Sequence, residues 1–189
     1  MPSAALFLGK PMLLNRVKPE RTAFTLIELI TVMVILGIVG VAVSGPTLSL
    51  LDSMRSDAAA ARMTSDIRYT QRLALGSGLR TWVSFDAANE RYSLFVEDPA
   101  NPGKAGRVSA ANPLDLTTNA IQFGSGPYAN VGISSVDMNA TTELEFDSVG
   151  RPFDADGVAL TSVGTVVLTG NVAVQVRPVG GLVESVTWP

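Results

Sequence analysis

The sequence is dominated by one apolar run, which extends from Phe24 to Val43 and contains a single charged residue, Glu28. A helix of twenty residues spans about 30 Å, which is the hydrocarbon thickness of a bilayer. The chain has 189 residues, and this run raises its mean hydropathy to +0.30, a high value for a soluble domain. The sequence therefore predicts a membrane-spanning helix near its N-terminus.

The charges around this run predict its orientation. The first charges after it are of mixed sign, whereas the residues before it carry one acid, Glu20, and four bases: Lys10, Arg16, Lys18 and Arg21. Basic residues tend to stay on the cytoplasmic side of a membrane. We therefore expect the N-terminus in the cytoplasm and the chain beyond Val43 on the other side.

Two simpler interpretations compete with this one. A cleaved secretory signal peptide fits poorly, because its apolar region usually has 7–15 residues and the run is followed by Ser44-Gly45-Pro46-Thr47 rather than an A-x-A site. A plain single-pass anchor stays open on hydropathy alone.

Glu28 argues against a plain membrane anchor. A carboxylate well inside an apolar helix costs about 2.5–3.5 kcal/mol, so such a residue usually has a partner and a function. Arg21 lies seven residues earlier, about two helical turns away. A free amine produced by cleavage just before Phe24 would supply a cation one turn from Glu28, or could face the Glu28 of a neighbouring copy.

The segment from Arg21 to Ile30, which reads RTAFTLIELI, resembles the prepilin cleavage and methylation signature of type IV pilins and pseudopilins. The resemblance implies cleavage between Ala23 and Phe24 by a prepilin peptidase, followed by N-methylation of Phe24. It also implies that Glu28 pairs with the terminal amine of a neighbour during assembly.

The sequence departs from the family at the position before the cut, where Ala23 replaces the usual Gly. Because Ala is the smallest side chain that could stand there, we expect slower processing rather than none. The first residues are also more apolar than a typical prepilin leader, and Met12 would begin a more typical one.

The composition excludes several classes of chemistry. The chain has no Cys and no His, which removes zinc sites of that type, thiol nucleophiles, disulfides and His-based triads. A net charge of −3 gives no global reason to bind nucleic acid. Since the sequence also shows no candidate nucleophile–base pair, we expect a protein that is not an enzyme and has no cofactor or metal, and the charge disfavours a nucleic-acid partner.

The pattern and the resemblance together imply four segments: a leader over residues 1–23, a transmembrane and assembly helix over 24–43, an amphipathic continuation of that helix over 44–77, and a periplasmic β-rich domain over 78–189. Pro46 predicts a kink in the helix, and Gly76-Ser77-Gly78 predicts its end. Two adjacent stripes of apolar residues lie along the continuation. One is Leu50, Met54, Ala58 and Ala61; the other is Ala60, Met63, Ile67 and Ala74.

After Gly78 the period of the apolar residues changes from 3.6 to 2, which indicates strands. The predicted strands are Arg80–Phe85, Arg91–Val96, Leu114–Phe123, Glu143–Asp147, Thr165–Leu168, Val172–Arg177 and Leu182–Val186. The fold class we expect is α+β, with a mostly antiparallel sheet domain packed on the second half of the long helix.

Within the pilin superfamily, the second half of the chain is most similar to the minor pseudopilin H group, called GspH/FimT. The segments that carry this resemblance are GLRTWVSFDAANERYSLFVE, ELEFDSVGRP and TVVLTGNVAVQVRPVGGLVE. The resemblance implies a structural subunit of a type II secretion or type IV pilus assembly machine, held in the inner membrane. Its implied partners are other pilins and pseudopilins through the N-terminal helix, a prepilin peptidase and an inner-membrane assembly platform.

A pilus-tip or major pilin subunit stays open, as does a tip binding module that contacts DNA or a secreted substrate. Such a module would need an exposed basic or aromatic patch, and its candidate residues are Arg80, Arg91, Lys104 and Arg107.

Few polar patterns suggest a site. Glu143, Glu145 and Asp147 alternate along one strand, which predicts a solvated acidic face. Asp154-Ala155-Asp156-Gly157 is similar to the start of a calcium loop but lacks the later Glu. Trp82 and Trp188 are expected in the core or at its rim, and Ser125 has no His to activate it.

Overall fold

The computed structural model describes residues 24–111 and 120–189, with the side chains of residues 44–48 left out of the description. The chain divides into two compact units, residues 1–43 and residues 44–189. Ala23 and the rest of the predicted leader lie outside the described residues, as do residues 112–119.

The single long helix, α1, extends over Leu26–Ser77. Its backbone is helical through Gly45 and Pro46, so the kink at this point stays a prediction. The helix ends where the sequence predicts, because Gly78 adopts a positive φ of 70° and its amide donates to the carbonyl oxygen of Ala74 at 2.9 Å.

Ten strands are assigned in the described residues. They are β1 (Thr81–Asp86), β2 (Arg91–Val96), β3 (Val108–Ser109), β4 (Ala120–Gln122), β5 (Ile133–Asp137), β6 (Glu143–Phe146), β7 (Pro152–Phe153), β8 (Gly164–Leu168), β9 (Val172–Val176) and β10 (Val183–Thr187). They form a first sheet in the order β3-β2-β1-β6-β7, with β4 also paired to β2, and a second in the order β10-β9-β8-β5. All their pairings are antiparallel, so the predicted α+β class is confirmed.

The predicted strand boundaries are mostly correct to within a residue. The β1–β2 hairpin closes through a 3₁₀ turn at Ala87–Asn89, which the Asp86 side chain caps by accepting from the amide of Asn89 at 3.1 Å. Of the predicted strand at Leu114–Phe123, only β4 lies in the described residues. Sequence reasoning missed β3, β5 and β7; β3 and β7 have two residues each, and β5 exposes two adjacent serines.

The core of the second unit lies between α1 and the two sheets. Of the two predicted helix stripes, the one formed by Ala60, Met63, Ile67 and Ala74 is completely buried. The other stripe stays exposed within this unit, with Leu50 and Met54 about 60% accessible. A chain of aromatic rings from Phe85 through Tyr92 and Phe123 to Tyr128, with centroids 5.4–6.2 Å apart, fills the space beneath the helix.

One charged group enters this core from α1. The Asp66 side chain is buried, and its Oδ2 accepts from Arg62 Nε and from the Tyr92 hydroxyl, both at 2.8 Å. Burial and the neighbouring Asp66 raise the pKa of Tyr92 well above its ordinary value. The hydrogen bond from Tyr92 therefore links the helix to strand β2, and the bond from Arg62 holds Asp66 within the helix.

Candidate processing and assembly site

The described part of the first unit, residues 24–43, exposes its apolar side chains in this single chain. Every residue from Phe24 to Val43 is exposed, and Phe24 itself is 82% accessible. The window Leu26–Val43 has a mean hydropathy of 2.7 and is long and apolar enough to cross a membrane. Because no core covers these side chains, the segment needs lipid or other helices around it.

The structure places Glu28 differently from the sequence expectation. Helix α1 begins at Leu26, so Glu28 lies in the first turn rather than well inside the helix. The amide of Glu28 donates to Thr25 Oγ1 at 3.3 Å and to the Thr25 carbonyl oxygen at 3.1 Å. Thr25 is therefore the helix cap, a role that sequence reasoning missed although Thr-x-x-Glu is the usual pattern of a capping box.

This position lowers, but does not remove, the cost of the Glu28 charge. A carboxylate in the first turn of a helix gains about 0.3–1 kcal/mol from the aligned peptide dipoles. The insertion cost of about 2.5–3.5 kcal/mol applies to a charge at the centre of a membrane-spanning helix, so a charge in its first turn costs less. The predicted scissile bond follows Ala23, immediately before this turn.

The acidic strand face is not solvated at Glu143 and Glu145, contrary to the prediction, whereas Asp147 is half-buried just after β6. Glu143 and Glu145 are each only 7% accessible, because residues 98–111, which we call the cover segment, fold over this side of the first sheet. Glu143 pairs with Lys104 at 2.7 Å and with Arg107. Acidic and apolar residues alternate along β6 as predicted, but both faces of the strand are buried.

Beside this pair, Trp82 forms the centre of the covered face. It is completely buried, and its indole Nε1 donates to Glu145 Oε2 at 2.7 Å. The Arg107 guanidinium lies over the Phe95 ring at 4.3 Å from its centroid. The predicted core role of Trp82 is confirmed, and Trp188 is half-buried at the rim.

The four basic residues that could form a binding patch are all paired with carboxylates. Arg80 contacts Glu97 at 2.8 Å and Glu145 at 3.6 Å, and Arg91 contacts Asp86 at 3.1 Å. Lys104 and Arg107 share Glu143, as described above. The hydrogen bond from Arg80 lowers the pKa of Glu97. These pairs neutralise the candidate patch, which disfavours the binding of a polyanion there.

The segment Asp154–Gly157 is a turn held by its own hydrogen bonds. Asp154 Oδ1 accepts from the amides of Asp156 and Val158, and Oδ2 accepts from Asn139. Burial opposes the charge of Asp154, but these hydrogen bonds keep the pKa of its carboxyl below the ordinary value. The carboxylate oxygens that would bind calcium are thus already engaged by N–H donors.

Comparison with protein-family models matches residues 20–44 to the prokaryotic N-terminal methylation motif. The match includes Ala23, Phe24, Glu28 and the whole apolar run. No curated protein sequence matches this chain. The pilin-type signature that the sequence suggested is therefore confirmed for this segment.

The fold is similar to that of the minor pseudopilin EpsH from the type II secretion system of Vibrio cholerae. One structure of EpsH aligns with a TM-score of 0.51 and 13% identity, covering 70% of this chain and 97% of EpsH. A crystal structure of the same protein aligns with a TM-score of 0.51 and 12% identity, covering 72% of this chain and 96% of EpsH. At this identity the likeness concerns the fold, and it confirms the α+β architecture that the pattern of apolar residues predicted.

Proposed function

We propose that this chain is a minor pseudopilin-like structural subunit of a type II secretion system or a type IV pilus assembly machine. The observation that carries the proposal is that a methylation motif at residues 20–44 and the fold of a minor pseudopilin occur in one chain. The proposal assigns the chain a role in assembly and no catalytic reaction.

In this proposal the subunit starts in the inner membrane, with residues 1–23 in the cytoplasm and the β-rich domain in the periplasm. A prepilin peptidase cuts between Ala23 and Phe24, and the new amine of Phe24 is methylated. The apolar helices then leave the lipid and pack against those of other pilins and pseudopilins on an inner-membrane assembly platform. The fully exposed surface of Phe24–Val43 supports this step, because burying it between helices replaces the lipid contact.

Glu28 is the residue to which the proposal gives the assembly role. Its carboxylate lies in the first helical turn, one turn from the amine that cleavage would create at Phe24. A neighbour's methylated amine would supply the cation that the chain itself lacks within the apolar run. Pairing thus favours the packed state over the isolated helix in lipid.

The first test is the intact mass of the protein extracted from membranes of a host that contains a prepilin peptidase. The expected mass corresponds to loss of residues 1–23 plus one methyl group. An Ala23→Gly variant is the matched comparison, because it restores the usual residue and should be processed faster in a pulse-chase experiment. An uncut chain in both variants would refute the proposal.

The second test replaces the carboxylate. A charge-assisted hydrogen bond contributes about 1.5–3 kcal/mol, so Glu28→Ala should lower incorporation into sheared filaments about 10- to 100-fold while membrane insertion is kept. Glu28→Asp is the control, since it retains the charge and should retain part of the incorporation. Normal incorporation of Glu28→Ala would contradict the pairing mechanism.

The alternative of a pilus-tip or major pilin subunit shares the same processing and helix packing. Immunogold labelling of intact filaments separates these cases, because a minor or tip subunit gives sparse or terminal labels and a major pilin gives labels along the whole length.

A further inference from the structure

A polar groove of about 470 Å³ lies between helix α1 and strand β10, within the unit of residues 44–189. We call it the α1–β10 groove. The residues that line it include Thr64, Ser65, Arg68 and Arg72 on the helix, and Glu184 and Ser185 on the strand. Its volume is within the range of about 300–1,000 Å³ that is usual for ligand sites.

Strand β10 presents an open edge to this groove. It is the last strand of its sheet, and among the strands that the structure describes it pairs with β9 alone. The backbone amide of Arg177 donates to the Leu182 carbonyl oxygen at 2.8 Å. Because hydrogen-bonded pairs alternate along antiparallel strands, the backbone groups of Val183, Ser185 and Thr187 point away from β9. Ser185 and Thr187 have no hydrogen bond on that side to any residue that the structure describes.

The groove also carries positive charge that no carboxylate of the described residues neutralises at contact distance. Arg68 Nε donates to a neutral group, the Val183 carbonyl oxygen, at 3.0 Å, and Arg72 is exposed without a described partner. The carboxylate of Glu184, on the opposite wall, is engaged by Arg177 at 2.7 Å. This contrasts with Arg80, Lys104 and Arg107, which are all paired with acids.

One polar side chain in the wall of the groove is buried without a described hydrogen-bond partner. Thr64 is 7% accessible, and its buried hydroxyl has no hydrogen-bond partner among the described residues. Buried hydroxyls are normally satisfied. The edge backbone groups at Ser185 and two guanidinium groups without a carboxylate partner in the described residues thus meet at one concave surface, beside a buried hydroxyl without a described partner.

We propose that the α1–β10 groove binds an extended peptide segment that carries a carboxylate. The peptide backbone pairs with Ser185 and Thr187 as an added strand, and its carboxylate contacts Arg68 and Arg72, which are one helical turn apart. The alternating N–H and C=O groups of a strand edge complement a peptide rather than a phosphate backbone. Guanidinium groups bind carboxylates strongly and with defined geometry. The inference does not depend on the proposed function.

The test uses the full chain in detergent micelles and a panel of eight-residue peptides of alternating Thr and Val, with Glu, Gln or Lys at the central position. In titration calorimetry the Glu peptide should bind at least about tenfold more tightly than the Gln peptide, with no binding of the Lys peptide. Hydrogen exchange at Ser185 and Thr187 should slow only when peptide is bound.

Three variants locate the contact. Arg72→Gln should remove the preference for Glu over Gln, and Ser185→Pro should abolish binding of both peptides, because Pro removes the edge amide. Arg91→Gln, a paired arginine on the β1–β2 hairpin, should bind like the original chain. Equal affinities for the Glu and Gln peptides, or an unchanged preference in Arg72→Gln, would overturn the proposal. Binding of a single-stranded oligonucleotide that Arg72→Gln abolishes, without peptide binding, would also overturn it.

Discussion

Glu143 and Glu145 lie on β6 with their carboxylates under the cover segment, where each meets a cation or an indole N–H rather than water. Removing a charge from water is expensive, and a buried ion pair repays this only with good geometry and additional hydrogen bonds. At the scale of single residues, the stability of this covered face therefore depends on each carboxylate keeping its partner.

Glu143→Gln should destabilise the protein by about 2–4 kcal/mol, because it leaves Arg107 and Lys104 without their shared anion. Urea unfolding of the full chain in micelles, followed by the fluorescence of the buried Trp82, measures the change. Arg91→Gln is the control, since Arg91 is exposed, Asp86 keeps its hydrogen bonds from Asn89, and an exposed pair such as Asp86–Arg91 contributes about 0–1 kcal/mol. Equal losses in the two variants would show that the cover segment does not bury its ion pairs in solution.

At the scale of elements, α1 carries two apolar stripes in its second half but buries only one of them in its own domain. Ala59 and Ala60 are completely buried against the sheets, whereas Ala58 is exposed. Small residues at the buried positions allow the helix backbone to approach the strands closely. The stripe with Leu50 and Met54 stays exposed within this unit.

Ala60→Leu should therefore destabilise the domain by about 1–3 kcal/mol, because the added side chain overpacks the space between helix and sheets. The adjacent Ala58→Leu adds the same atoms at an exposed position and should change stability by no more than about 0.5 kcal/mol. The difference in urea midpoint between the two variants measures the effect. A larger loss for Ala58→Leu would mean that the buried face of α1 is assigned wrongly.

At the scale of the whole molecule, stability should depend on pH mainly on the acid side. The hydrogen bond from Arg80 lowers the pKa of Glu97, and for Asp147 the hydrogen bonds from Arg151 outweigh burial and lower its pKa as well. A depressed folded-state pKa gives stability that is present above the unfolded values, 4.5 for Glu and 3.8 for Asp, and lost as the pH falls through the folded values.

We therefore expect the urea midpoint to be nearly flat between pH 6 and 8, since the chain has no His, and to fall steadily below about pH 4.5. Glu97→Gln should lower the midpoint at pH 7 and make the acid dependence shallower. A midpoint that rises on acidification would contradict the sign of these pKa shifts.

The sequence by itself determined the features that depend on local pattern. The apolar run with Glu28, the helix end at Gly78 and the hairpin between β1 and β2 all follow from periodicity, charge and turn residues within a few positions of one another. The pilin-type signature around Phe24 is of the same kind, because its meaning resides in contiguous residues.

Tertiary structure alone decided which surfaces are covered. Alternation shows that Glu143 and Glu145 share one side of β6, but only the return of Lys104 and Arg107 nearly 40 residues away buries that side. Periodicity likewise finds both stripes of α1 without telling which one meets the sheets. Burial depends on contacts between distant segments, whereas period and propensity report only on neighbours in the chain.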